Sequence, residues 1–416
     1  MTMPRITFQT QGQVADDSWH AVLISLLRGL AAIEVACAHL RAAMYPGLRT
    51  VADPALWFQG FSFMTGFAHH AVLVFFVISG WLVGGSLLDK FGQRDAIASY
   101  AIDRITRLWT VLLPTFALTL LFGLATGAVS TQGIVFSSAN PYSALTLCAN
   151  LLGLQHIALP EYGGNFPLWS LANETWYYLM FPLLAMLFGA RRRTARLACG
   201  AALLLLAAAL PLALMSYFAI WLLGVAFSRI TISCGAALRW CWSTLLLAMW
   251  AYYRLTGDMD TFGLATLLPD MLCSLAFLLL LSSLRFKAAA TSTLLRPLTR
   301  AGNFLAAFSF SLYVLHVPLI GLLQHWSEAL WGLRQFAPAR PLHFVFYLGM
   351  LAIILAASYL SYQLFESQTA SVRRWLKRWG EEGLDGLADH PRPGRPPDFS
   401  PSGGHARASS GVRATR

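Results

Sequence analysis

Apolar residues along this chain gather into blocks of about 17–25, the length a helix needs to cross a bilayer. The blocks fall roughly at 21–45, 67–88, 108–127, 167–189, 196–214, 215–231, 240–256, 261–284, 302–325 and 343–366, which predicts ten spans. The run 143–160 is a near miss. It reads as an interfacial or re-entrant helix, because another crossing would break the loop-charge pattern described next. From about Gly380 the pattern gives way to Pro, Gly, Ser and Arg, as in "HPRPGRPPDFSPSGGHARASSGVRATR". Such a composition cannot build a core and predicts a disordered tail over 381–416.

Composition agrees with a membrane protein. Of 416 residues, 57% are hydrophobic and 12% charged, with mean hydropathy +0.57, which excludes a soluble domain of ordinary make-up. The predicted fold class is therefore all-α, a polytopic helix bundle of about ten transmembrane helices. With the amino terminus inside, loops 89–107, 190–196, 229–239 and 285–300 carry 4, 4, 2 and 4 Lys/Arg, whereas 128–167 has none and 46–66 has only Arg49. Both termini are then cytoplasmic, and the net charge of +11 is mostly a topology signal rather than a mark of nucleic-acid binding. Residues 1–20 form a cytoplasmic segment with Asp16 and Asp17 and no signal-peptide pattern. Residues 21–366 form the membrane domain, and "RRWLKRW" lies in a basic juxtamembrane helix end, 367–380, suited to an anionic leaflet. Six scattered cysteines have no metal-ligand spacing and read as packing residues, so no metal site is expected.

Ionisable groups inside the spans are the candidates for chemistry, since each costs roughly 2.5–3.5 kcal/mol in hydrocarbon and normally faces a cavity. Glu174 interrupts "NFPLWSLANETWYYLMFPLLAMLF", with Trp169 and Ser170 toward the outer end. The first span holds Arg28, Glu34 and His39. Arg28 and His39 share one face about 16 Å apart along the axis, the first near the inner surface and the second in the outer half. A snorkelling charge at Arg28 is the plainer alternative. In the second span, Ser79, Gly80, Gly84 and Gly85 suit close helix packing, while His69 and His70 stand at the outer end, where solvated histidines are common. Arg104 and Arg107 share a helical face at a membrane entry, suited to phosphate oxygens or, more plainly, to topology. Ser309, Tyr313 and His316 form one stripe of the ninth span, read either as a cavity lining or as a structural network.

Taken together, "RGLAAIEVACAH", "FFVISGWL", "RITR", "LWSLANETWYYLMFPLL" and "FSFSLYVLHVPL" resemble, in this order, the integral-membrane acyltransferase-3 family. The resemblance covers most of residues 21–366. It implies a multi-pass protein of the bacterial inner membrane that passes an acyl group, most often acetyl, from cytoplasmic acyl-CoA to a hydroxyl of a glycan or lipid acceptor. No permanently bound cofactor is implied; acyl-CoA is a co-substrate. The family's motif positions fall on Arg28, His39, Ser79, Gly80, Arg104, Arg107, Trp169, Ser170, Glu174, Tyr313 and His316. Two positions depart from the pattern: Ser25 replaces the usual acid before the first-span arginine, and Thr175 an acid after Glu174.

On this reading His39 is the general base. Arg28, Arg104 and Arg107 hold the phosphates of CoA, Glu174 orients His39 or binds acceptor hydroxyls, and Ser79, Trp169, Ser170, Ser309, Tyr313 and His316 line the pocket. The rivals are a proton-coupled transporter using Glu34, Glu174, His39 and His316 as a relay, and a glycan polymerase or flippase. A transporter predicts repeat symmetry, which the sequence lacks, and a polymerase or flippase predicts a long charged outer loop, whereas 128–167 carries only Glu161. The sequence leaves the acceptor and the oligomeric state open.

Overall fold

The computed structural model describes residues 4–12, 19–93, 95–257, 261–285 and 295–388. Its helices, in chain order, are α1 (Trp19–Met44), α2 (Leu56–Met64), α3 (Ala68–Ser79), α4 (Gly85–Lys90), α5 (Ala96–Ala125), α6 (Ala144–Leu151), α7 (Leu168–Gly189), α8 (Arg193–Ala209), α9 (Leu212–Phe227), α10 (Ala236–Thr256), α11 (Leu264–Ser283), α12 (Leu295–Trp331), α13 (Pro341–Leu364) and α14 (Thr369–Ala388). A π-helical turn, Gly80–Gly84, joins α3 to α4. Two strands, β1 (Arg5–Phe8) and β2 (Ile230–Ser233), pair antiparallel with Arg5 opposite Ser233. This small sheet departs from the all-α expectation. Its β-branched "ITIS" and "RITF" runs fit a pleat better than a helix.

Each of the ten predicted spans coincides with a helix. Among the described residues, six stretches are long and apolar enough to cross a membrane: Trp19–Thr50, Leu56–Lys90, Ala96–Ala125, Leu264–Ser283, Leu295–Trp331 and Pro341–Arg378. Helices α7 and α10 have the length, 22 and 21 residues, but α7 contains Asn173 and Glu174, and α10 contains Arg239 and Arg254. Helices α8 and α9 are shorter, at 17 and 16 residues. The near miss at 143–160 yields only the eight-residue α6, capped by Ser143 accepting from the Thr146 N–H. That is too short to span. Large apolar side chains such as Leu121, Leu204, Leu205, Leu247 and Leu360 are exposed along the helices, as on a surface facing lipid rather than water.

Two close helix crossings organise the interior. Helices α1 and α12 run side by side in the same direction, since Gly29 abuts Leu305 and, further along, His39 meets His316. A Cβ at Gly29 would lie 2.3 Å from that of Leu305. Along α3 and α9 the glycines are reciprocal: a Cβ on Gly80 would lie 2.0 Å from the Trp221 carbonyl oxygen, and one on Gly224 2.2 Å from that of Val77. Close packing is therefore the structural use of the glycines around Ser79.

The β1 segment is held to the basic-loop end by Arg229, which pairs with Asp89 at 2.6 Å and donates to the Thr10 and Gly85 carbonyls. Helices α1 to α13 and both strands belong to a compact unit, Met1–Arg373. A second unit begins at Arg374. In it, helix continues to Ala388, past the expected boundary at 380, and the remainder of the expected disordered tail, 389–416, lies outside the described residues.

Candidate active site

Three cavities follow one another through the bundle. Nearest the basic loops is one of about 560 Å³, lined by Gly12, Ser25, Trp81, Asp89, Lys90 and Gln93 among others. It shares Arg28, Leu82 and Ser86 with a central cavity of about 270 Å³. The central cavity in turn shares Val72 and Tyr313 with a third, of about 480 Å³, that reaches the opposite end.

The central cavity collects Arg28, Ser79, Arg104, Arg107, Ser170, Glu174, Ser309 and Tyr313, most of the residues singled out from the sequence. Helix periodicity brings Arg104 and Arg107 to one face of α5, where Arg104 lies over the Tyr100 and Tyr178 rings and Arg107 over Phe310, at 5.7–5.9 Å. Arg28 has Arg107, Glu174 and Glu366 as its charged neighbours. Among the described residues none of these three arginines is ion-paired with a carboxylate within 4.0 Å. Glu366, which the sequence reading passed over, instead accepts from the Ser311 N–H and hydroxyl at 3.1 and 2.7 Å. Ser79 bonds to the Tyr178 hydroxyl at 3.3 Å and accepts from the Trp221 indole N–H at 3.2 Å. The π turn that follows it, a feature frequent at functional sites, sets Leu82 and Val83 against the cavity.

His39 belongs to the third cavity. Its Nδ1 lies 2.8 Å from His316 Nε2, and His316 Nδ1 lies 3.2 Å from the Leu312 carbonyl. A carbonyl can only accept, so His316 Nδ1 carries a proton and its Nε2 accepts one from His39 Nδ1. That chain fixes the His39 tautomer. With both rings neutral, His39 Nε2 is left with its lone pair. Phe166 packs edge-on against the His39 ring at 4.9 Å. The loop bearing Phe166 is tied down by a backbone consequence of Pro318, which has no N–H for the Val314 carbonyl four residues before it. Asn165 Nδ2 donates to that carbonyl at 2.8 Å.

The stripe on α12 therefore divides. Ser309 faces the arginines, His316 partners His39, and Tyr313 borders both cavities while bonding to the Ser170 hydroxyl at 2.5 Å and the Pro167 carbonyl at 3.1 Å. Helix α7 divides too. Ser170 and Glu174 line the central cavity, whereas Trp169 and Asn173 line the third, because successive helical residues point about 100° apart. The expected contact of Glu174 with His39 is not seen among the described residues; the carboxylate stands beside Arg28 and Tyr178. His69 and His70, expected in solvent, are buried, and His69 Nε2 lies 2.8 Å from Asp270 of α11. Asp270 was passed over as well, although an acid inside the apolar run 261–284 is the same signal that marked Glu174. Among the described residues no group of three or more His, Cys, Asp or Glu is placed to hold a metal ion.

A helical, lipid-facing bundle with a histidine relay and an arginine-lined cavity is the setting in which residues 23–363 match a family described as an acyltransferase domain. The chain belongs to the acyltransferase-3 family. It is thus a membrane acyltransferase by family, and the transporter reading is not favoured. Residues 369–402 are also similar to a winged helix-turn-helix family. No curated protein matched the chain. No solved structure matched it either.

Proposed function

We propose that this chain transfers an acyl group, most simply acetyl, from cytoplasmic acyl-CoA to a hydroxyl of an extracytoplasmic or membrane-linked glycan or lipid acceptor. It would do so as a ten-span protein of the bacterial inner membrane with both termini inside. The observation that carries this reading is the relay from His39 through His316 to the Leu312 carbonyl, which leaves His39 Nε2 as an acceptor on the third cavity. A base with its proton already committed on the far nitrogen is set to take another.

The arginine cavity fits the donor. Three guanidinium groups with, among the described residues, no carboxylate bound directly to them suit the phosphates of CoA, and they stand beside the cavity that reaches the basic loops. The pantetheine arm then extends past Tyr313 toward His39. His39 Nε2 removes the proton of the acceptor hydroxyl as its oxygen attacks the thioester carbonyl. The tetrahedral intermediate collapses by breaking the C–S bond, and the proton held on His39 goes to the departing CoA sulfur. Ester and free thiol account for every atom. Glu174, beside Arg28, balances charge on the donor side and keeps that guanidinium turned into the cavity.

The test is transfer from radiolabelled acetyl-CoA by the full chain in lipid nanodiscs. His39→Ala is expected to lose about 10²–10⁴-fold in turnover, the usual contribution of a general base, while CoA binding persists. Retention of more than roughly a tenth of the activity would remove His39 from that role.

A further inference from the structure

The third cavity contains more recognition chemistry than a base requires. His69, 8% exposed, and Gln155, 1% exposed, both line it. Each is held on one side. His69 Nε2 donates to Asp270, whose second oxygen accepts from the Tyr217 hydroxyl, itself bonded to Thr266 at 3.0 Å. Phe262 stacks on the His69 ring at 3.8 Å and 10°. Gln155 Nε2 donates to the Leu168 carbonyl at 2.9 Å, which fixes the orientation of its amide. Each is left open on the other side: His69 Nδ1 and Gln155 Oε1 are buried and, among the described residues, have no hydrogen-bond partner.

With the Nε2 proton donated to Asp270 and no second proton on the ring, Nδ1 is an acceptor, and an amide oxygen can only accept. Two buried acceptors lacking donors on one cavity are costly unless something supplies O–H or N–H groups, since each unsatisfied polar group is worth about 1–3 kcal/mol. Trp169 and Phe262, 4.5 Å apart, present apolar ring surface beside them. Aliphatic ligands offer no donors and carboxylates would meet lone pairs with charge. A polyhydroxylated ring, with O–H groups on its edge and C–H groups on its faces, satisfies both surfaces.

We propose that His69, braced by Asp270 and Tyr217, and Gln155 form the hydrogen-bonding subsite that holds the non-reacting hydroxyls of the acceptor, so that a further hydroxyl reaches His39. This rests on the acyl-transfer reading for its role. The occupancy it asserts is measured without transfer.

The probe is methyl β-D-glucopyranoside, compared with cyclohexylmethanol, a ring of similar size with one hydroxyl. Both are titrated by saturation-transfer NMR against the full chain in nanodiscs free of sugar detergents. The glucoside is expected to bind more tightly. His69→Gln, which keeps a donor toward Asp270 and deletes the Nδ1 acceptor, should weaken the glucoside by about five- to tenfold, the scale of one neutral hydrogen bond. It should leave cyclohexylmethanol and the Tm unchanged. His69→Asn, which keeps an acceptor where Nδ1 stood, should retain glucoside binding, and Gln155→Met should reproduce the selective loss. Failure of the glucoside to bind, with water alone filling the cavity, would overturn the proposal, as would equal glucoside binding by wild type and His69→Gln. Selective binding alongside absent acetyl transfer would sustain the subsite and refute the acyl-transfer reading instead.

Discussion

His316 has no free proton to offer, because its Nδ1 is committed to the Leu312 carbonyl. Its contribution is to accept from His39 and so hold that ring in the reactive tautomer. His316→Ala is expected to lower turnover by about tenfold to a hundredfold, less than the loss of the base itself, with KM for acetyl-CoA little changed. Steady-state kinetics on both substrates would show the split, and a wild-type kcat in this variant would rule the relay out. For the donor, replacing Arg104 and Arg107 together with Gln removes two of three guanidinium groups beside the central cavity. Isothermal titration with CoA should then show affinity lower by at least about tenfold, charge-assisted contacts being worth about 1.5–3 kcal/mol each. Unchanged affinity would return the pair to a topological role.

At the level of elements, the bundle depends on a few positions where backbones touch or a helix loses a hydrogen bond. Gly224→Ala would drive a methyl group into the Val77 carbonyl of α3, and such overpacking typically costs about 1–3 kcal/mol. A lower Tm with a shifted acceptor KM is the expected result, because α3 carries His69 and Val72 into the third cavity. Asn165→Ala would strand the Val314 carbonyl that Pro318 cannot serve. Thermal unfolding should show the loss of about 1–3 kcal/mol, with a fall in kcat as Phe166 loosens against His39. Gly80, Gly224 and Pro318 stand in spans two, six and nine, visible in the sequence as a small residue, another, and a helix breaker. Their partners are not, because Trp221 stands 141 positions from Gly80, Val77 147 from Gly224 and Asn165 149 from Val314, and they become neighbours only when the helices pack.

Across the whole molecule, apolar block length located each of the longer helices but not the short α2, and the in-span charges located most of the arginine cavity and, in the third cavity, His39. What the sequence could not show was how those residues are shared out. Glu174 looked like a partner for His39 because both occupy the outer half of their spans, yet which way a residue faces on α7 depends on how that helix is rotated against its neighbours. Asp270 and Glu366 were equally visible as charges; their meaning comes from His69 and Ser311 on other helices. The ten-span reading belongs to this scale. Membrane-impermeant labelling of single cysteines in a cysteine-free background should protect sites at residues 10 and 400 and modify one at residue 137. Labelling of either end from outside would refute it.

Val72 and Tyr313 are the residues shared by the arginine cavity and the histidine cavity, and that narrow join makes the proposed reaction directional. A donor held on one side of it and an acceptor on the other exchange only the small fragment that passes between them, while both carriers stay in their own compartments. In the proposed reaction the thioester would be consumed in the handover, so traffic would run outward without an ion gradient. The cell would in effect export two carbons at a time, with a single tyrosine hydrogen-bonded to Ser170 standing at the customs post.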